Sequence, residues 1–335
     1  MAVQRAPARQ GRGAEIAMAD YTVLDLKPSL SSLAEDVRTG LTAEPKSIPP
    51  KHFYDERGSM LFNEITRLPE YYLSRTEASV LSDYGEEIAE SIGASSLIEL
   101  GSGSFDKIRC LLPFLSEAIS YTPVDISLSA LHDTAARVKE AVPAMQVFGV
   151  CVDYTKTMSF LNSGRNKPAA VFFLGSTIGN LDPKEASEFL QKLASQMNPE
   201  DSLVVGVDLK KDPVVLHRAY NDEAGITASF NKNLLHRLNR EFDAGINTGH
   251  FEHEAFYNER LGRIEMHLRA EKPSLFSIGG ETFTMRAGET IHTENSRKFT
   301  PDEFMHLARQ SSWETNDWWT DENEWFGVFT LSPRL

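Results

Sequence analysis

Residues Leu97-Ile98-Glu99-Leu100-Gly101-Ser102-Gly103-Ser104 constrain this chain more than any other stretch. An apolar run carrying one acid breaks into alternating glycine and serine. Buried parallel strands look like this when they end in a turn where backbone must approach a ligand closely. Further on, Tyr121-Thr122-Pro123-Val124-Asp125 ends a second short strand in a carboxylate. Glycines that admit a ligand and an acid that accepts ribose hydroxyls together suit an adenosine, so a nucleoside cofactor is expected.

The pattern around that turn repeats. Strands are predicted at 97–100, 119–124, 145–152, 169–174 and 202–207, with helices over 106–116, 127–141 and 184–196. Asp182-Pro183 opens the last helix, an acid cap followed by proline in the first turn. Alternating strands and helices imply an α/β fold: a doubly wound parallel sheet with ligands at the carboxyl ends of its strands. Glu99, Asp125, Asp153 and Asp208 gather at those ends. After Asp208 the alternation stops. A helical stretch runs to Phe242, then strand patterns follow at 250–257, 263–270 and 281–285. Helix-then-strand returns from Pro301. The expected organisation is a ligand-binding α/β domain at 75–208 and 299–335, interrupted by an insertion. Residues 19–74 and 209–298 then form a second, smaller α+β domain for the substrate. Residues 1–18 are rich in Arg, Ala and Gly, without an apolar core. They read as a disordered tail, not a secretory signal, and translation could begin at Met18.

Charge and cysteine content narrow the function. The chain has 34 basic and 48 acidic residues, a net charge of −14, which argues against a nucleic-acid footprint. No apolar run approaches the roughly 18 residues of a membrane span. The two cysteines, Cys110 and Cys151, lie far apart, so neither a disulfide framework nor a metal site is expected. A cytoplasmic monomer acting on a small molecule fits best.

The Gly turn reads Gly-Ser-Gly-Ser-Phe-Asp-Lys and lacks the third glycine of a dinucleotide fingerprint; Asp106 stands there. The shorter form resembles the first motif of the class I S-adenosylmethionine methyltransferases. Three more segments sharpen the likeness: Pro49–Ser59 (PPKHFYDERGS), Ile65–Glu77 (ITRLPEYYLSRTE) and Phe173–Leu181 (FLGSTIGNL). With Arg218-Ala219-Tyr220-Asn221-Asp222, Arg263-Ile264-Glu265-Met266 and Thr293–Phe299 (TENSRKF), they closely resemble the histidine-specific methyltransferase family from about Val23 to Leu331. That family's best-known member trimethylates the α-amino group of histidine to hercynine, the first step of ergothioneine biosynthesis.

The resemblance implies roles. Gly101, Gly103, Lys107, Asp125, Asp153 and Tyr154 would hold S-adenosylmethionine, with Asp125 on the ribose, Asp153 on the adenine amine and Lys107 on the donor's carboxylate. Asn180 and Tyr220 would hold the substrate carboxylate. Glu294 and Ser296 would read the imidazole, and Tyr71 and Met266 would line its pocket. Tyr54 would lie near the reacting amine and Gly175 beside it. Several of these residues also have plainer readings: Asn180 as a loop cap, Gly175 as a turn glycine, Met266 as core and Glu294 as a solvated strand residue. A relative acting on another amino acid, such as a tryptophan derivative, and a non-catalytic donor-binding module remain as alternatives.

Overall fold

Nine strands form the larger sheet: β1 (Ala14–Ala17), β2 (Thr22–Asp25), β4 (Ser96–Leu100), β5 (Ser120–Asp125), β6 (Gln146–Cys151), β7 (Ala169–Phe173), β8 (Ser202–Asp208), β14 (Trp313–Thr320) and β15 (Phe326–Pro333). This computed structural model describes residues 14–17, 20–26, 31–93, 96–103, 105–115, 120–162 and 168–334. The spatial order is β1-β2-β6-β5-β4-β7-β8-β15-β14. Strands β2, β6, β5, β4, β7 and β8 are parallel, and β15 enters antiparallel between β8 and β14. Strand order reverses between β4 and β7, so the crevice for a ligand opens there. This is the doubly wound arrangement expected from the alternating strands and helices. Every residue of β7 and β8 is buried, as a parallel sheet covered on both faces requires.

Helices α3 (Leu73–Asp83), α4 (Gly85–Ile92), α5 (Asp106–Leu111), α6 (Leu128–Ala141), α7 (Pro183–Ala194) and α10 (Pro301–Gln310) accompany this sheet. At the start of α7, Glu185 reaches back to the Asp182 N–H at 2.9 Å, as the sequence expects of an Asp-Pro start. The helix predicted over 106–116 ends earlier. Pro113 converts Leu112–Phe114 into a 3₁₀ turn, because it lacks an N–H and crowds the preceding turn.

The second lobe is built on the sheet β3-β13-β10-β9: β3 (Lys46–Ser47), β9 (Phe251–Asn258), β10 (Arg263–Ala270) and β13 (Thr290–Arg297). Helices α1 (Ser31–Thr42), α2 (Glu56–Ile65), α8 (Pro213–Tyr220) and α9 (Ile226–Phe242) complete it, with the hairpin β11 (Ser274–Ile278) and β12 (Glu281–Met285). Its core joins Leu41 and Phe53 from the N-terminal segment to Phe230, Leu234, Met266 and Ile291 from the insertion. Two segments distant in sequence therefore share one core.

One boundary needs correction. The sequence places 1–18 in a tail and 19–74 in the second lobe, yet β1 and β2 extend the larger sheet. Val23 of β2 is fully buried against Leu131 and Cys151, opposite Gly149, where a Cβ would stand 3.2 Å from the valine methyl. The glycine leaves the space that the added strand fills. Residues 1–13 and 18–19 lie outside the described residues. No described helix is long and apolar enough to cross a membrane.

Candidate active site

The residues expected to hold the donor lie at the carboxyl ends of β4, β5 and β6. Gly101 and Gly103 both hold positive φ, +72° and +40°, which glycine adopts without strain. A Cβ on Gly101 would stand 3.3 Å from the Tyr154 hydroxyl, so the glycine keeps this cleft open. The Gly103 N–H donates to Asp125 at 3.0 Å, and the Ser127 N–H donates to its other oxygen at 2.8 Å. Burial still holds the Asp125 carboxyl above its ordinary range, against the pull of those amides. Each oxygen keeps a lone pair for a further donor. Tyr154 stands edge-on to Phe173, at 6.2 Å between ring centres, and burial raises its phenol. Asp153 is partly engaged by its own turn, accepting from the Thr155 N–H at 3.1 Å, with Lys51 at 3.5 Å.

After β7 the chain turns through two successive left-handed residues, Gly175 (φ +79°) and Ser176 (φ +56°). Here the Gly175 N–H donates to Glu77 at 2.6 Å. The second Glu77 oxygen faces Lys107 Nζ at 3.3 Å. A Cβ on Gly175 would sit 2.4 Å from that ammonium, and one on Gly206 would sit 2.1 Å from Glu77. Two glycines thus make room for one buried ion pair. Lys107 has this internal partner, a feature its position in the sequence did not suggest.

The tyrosines expected around the substrate sit in an aromatic cluster. Tyr54 stands edge-on to Phe62 (5.6 Å) and Phe230 (5.8 Å), and Tyr71 edge-on to Phe62 and Tyr220, both at 6.3 Å. Burial raises the phenols of Tyr54, Tyr71 and Tyr220, so all three stay neutral hydroxyls. The Glu294 and Asp125 carboxylates add to that rise at Tyr54.

Strand β13 supplies the rest through a bulge. Met266 of β10 faces Glu294, but His267 faces His292, so Thr293 is the extra residue. The slip sends His292 to the face of Glu265 and His267. Glu294 and Ser296 stay on the face of Met266 and Ile264. Burial raises the Glu294 carboxyl to about 7, with Lys298 pulling the other way. That carboxylate accepts no hydrogen bond from another described residue, and the Asn180 amide makes none either. The turn carrying Asn180 packs directly on β13: a Cβ on Gly179 would lie 2.8 Å from the Arg297 carbonyl.

Residues 33–333 match the family described as "Histidine-specific methyltransferase, SAM-dependent". The chain belongs to that family. As a histidine-specific-family methyltransferase it is an enzyme that uses S-adenosylmethionine, and the Gly101–Gly103 turn, Asp125 and Tyr154 fit that donor. It is 41% identical over 319 residues to the histidine N-alpha-methyltransferase of Mycolicibacterium smegmatis, covering 93% of this chain and 98% of that one. It is 31% identical over 297 residues to ergothioneine biosynthesis protein 1 of Neurospora crassa, covering 86% of this chain and 33% of that one. It is 28% identical over 326 residues to the 4-dimethylallyltryptophan N-methyltransferase of Claviceps purpurea, covering 90% of this chain and 94% of that one.

The sequence does not single out Glu77 or Lys298, and it offers Asp208 only as one of the acids at the strand ends. All three are fully buried and charged. Buried charges demand partners, so an acid or lysine inside a motif that reads as core was the available signal. Asp208 takes the Tyr72 hydroxyl at 2.9 Å on both oxygens and is paired with both Lys211 (2.5 Å) and Lys298 (2.6 Å). Tyr72 is accordingly more than core. Glu265, His267 and His292 cluster on the opposite face of β10 and β13, where Arg263 already occupies Glu265 at 2.9 Å.

Proposed function

We propose that this methyltransferase transfers three methyl groups to the α-amino nitrogen of L-histidine, giving hercynine for ergothioneine synthesis. One observation carries the choice of histidine: a half-buried carboxylate without a hydrogen-bond donor among the described residues, Glu294, two residues from the Ser296 hydroxyl on one strand face. A ring with two nitrogens satisfies both. An apolar or single-nitrogen ring leaves a buried polar group unpaired, which costs more than the contact returns.

The lobes divide the work. The larger sheet holds the donor, with Gly101 and Gly103 at the chain turn, Asp125 on the ribose, Asp153 on the adenine and Lys107 near the donor's carboxylate. The second lobe holds histidine. Asn180 and Tyr220 donate to its carboxylate, Tyr71 and Met266 wall the ring, and Tyr54 sets its aromatic face toward the amine. S-adenosylmethionine supplies an electrophilic methyl: each transfer forms a C–N bond, breaks the C–S bond with its electrons left on sulfur, and releases one proton. The chain's part is mainly orientation. Tyr54 attracts the methylated ammonium by about 0.5–2 kcal/mol. Its neutral phenol and the backbone around Gly175 leave the nitrogen room to grow. Among the described residues no side chain stands out as a base, and water is the proposed proton acceptor. The cysteines Cys110 and Cys151 are both unpaired, as in a reducing cytoplasm, where we place the reaction.

A competition assay tests this reading. Equal histidine, tryptophan and 4-dimethylallyltryptophan are supplied with limiting donor and read by mass. Methyl groups should accumulate on histidine. Preferential methylation of either indole compound would overturn the assignment.

A further inference from the structure

Lys298 is fully buried, and so is Asp208, its partner at 2.6 Å. An apolar side chain would fill such a place at lower desolvation cost, so the ammonium needs a reason to be there. Its contacts supply one. The three N–H groups of an ammonium only donate. Here they meet Asp208 at 2.6 Å, Ser296 Oγ at 2.8 Å and the Tyr220 hydroxyl at 3.1 Å. Each hydroxyl oxygen therefore has one lone pair taken from behind by a group that cannot reverse its role. Tyr220 in turn donates to Ser296 at 2.7 Å. Both Ser296 lone pairs are then filled, and what the serine can offer an incoming ligand is its hydrogen.

Glu294 complements it. On the same strand face, an ionised carboxylate offers acceptors only. The two side chains then read one N–H and one lone-pair nitrogen, the two edges of a neutral imidazole. A pyrrole or indole ring answers Glu294 and sets a C–H against the serine. When the substrate's carboxylate draws the Tyr220 hydrogen away, one Ser296 lone pair is freed; Lys298 still occupies the other and, being unable to accept, leaves the serine hydrogen for the ligand.

We propose that Lys298, anchored by Asp208, is the positioning residue that fixes Ser296 as a hydrogen-bond donor and so makes the pocket prefer a ring with a lone-pair nitrogen. The inference rests on the histidine pocket proposed above and goes one step further, to the group that sets its polarity.

The test is a double-mutant cycle on ligand discrimination, measured by calorimetry with S-adenosylhomocysteine bound so that no methyl is transferred. The two ligands are histidine and 2-pyrrolylalanine, whose ring keeps an N–H but has carbon at the acceptor position. Lys298→Met should lower the histidine-to-pyrrolylalanine affinity ratio by about tenfold, the worth of one charge-assisted hydrogen bond. Ser296→Ala should lower it similarly, and adding Lys298→Met to Ser296→Ala should leave it unchanged. A merely structural lysine would weaken both ligands alike and hold the ratio constant, which overturns the proposal. If Ser296→Ala itself leaves the ratio intact, the pocket reading fails first and takes the proposal with it. If Ser296→Ala collapses the ratio while Lys298→Met preserves it, the proposal alone fails. Should Lys298→Met not fold, Lys298→Met with Asp208→Asn removes both charges together, and the same ratio decides.

Discussion

On the proposed function, Glu294 serves binding against the interest of stability. Its carboxyl titrates near 7 in the folded chain against an ordinary 4.5, because burial disfavours the charge. The folded state then holds a proton that the unfolded chain has released. Stability should fall as pH rises from about 4.5 through about 7, the window in which only the unfolded form is ionised. Glu294→Gln removes that loss. It should be more stable than the parent at pH 8 by about 1–3 kcal/mol, with little difference at pH 4.5, as thermal unfolding at the two values will show. Equal gains at both pH values would mean that the carboxylate is not strained by burial. The same substitution should weaken histidine by about tenfold or more while leaving donor affinity within about twofold. Calorimetry that finds equal losses for both ligands would move Glu294 out of the substrate pocket.

Among elements, the turn after β7 and the bulge in β13 do most to shape the site, and they differ in how visible the sequence makes them. Gly175 is readable as a glycine that a turn demands. What it excludes, the Lys107 ammonium paired with Glu77, depends on a helix from the N-terminal segment that no local pattern links to it. Gly175→Ala should cost about 1–3 kcal/mol of stability from the left-handed backbone. It should also displace Lys107 and weaken the donor several-fold; unchanged donor affinity would show that Lys107 stands clear of it. The bulge was not legible. Two-residue spacing correctly puts Glu294 and Ser296 on one face, but the same rule puts His292 there too. Only the slip at Thr293 turns His292 away, toward His267. Registers of this kind are set by strand pairing between distant segments, which one chain's periodicity does not encode.

At the scale of the whole molecule, the alternating strands and helices between Leu97 and Asp208 announced the larger sheet well, because each is a local pattern of burial. The second lobe was legible in outline, as a break in that pattern. Its membership was less so: β2 joins the sheet through Val23 and Gly149, a fit that local patterning does not show. The lobes are tied where Tyr72, from the segment before α3, donates to Asp208 at the end of β8. Tyr72→Phe should cost about 0.5–1.5 kcal/mol, read from chemical unfolding. An unchanged midpoint would show that the hydroxyl contributes nothing to the junction. The proposed function asks one arrangement of this geometry, an amino acid in one lobe with its amine turned toward a methyl donor in the other. Incubating the protein with histidine and donor carrying a carbon-13 methyl group, followed by NMR, tests that directly. The expected product shows one N-methyl resonance, equivalent to three methyl groups, coupled to the α-carbon. Label on a ring nitrogen, or histidine recovered unlabelled while the donor is consumed, would contradict it.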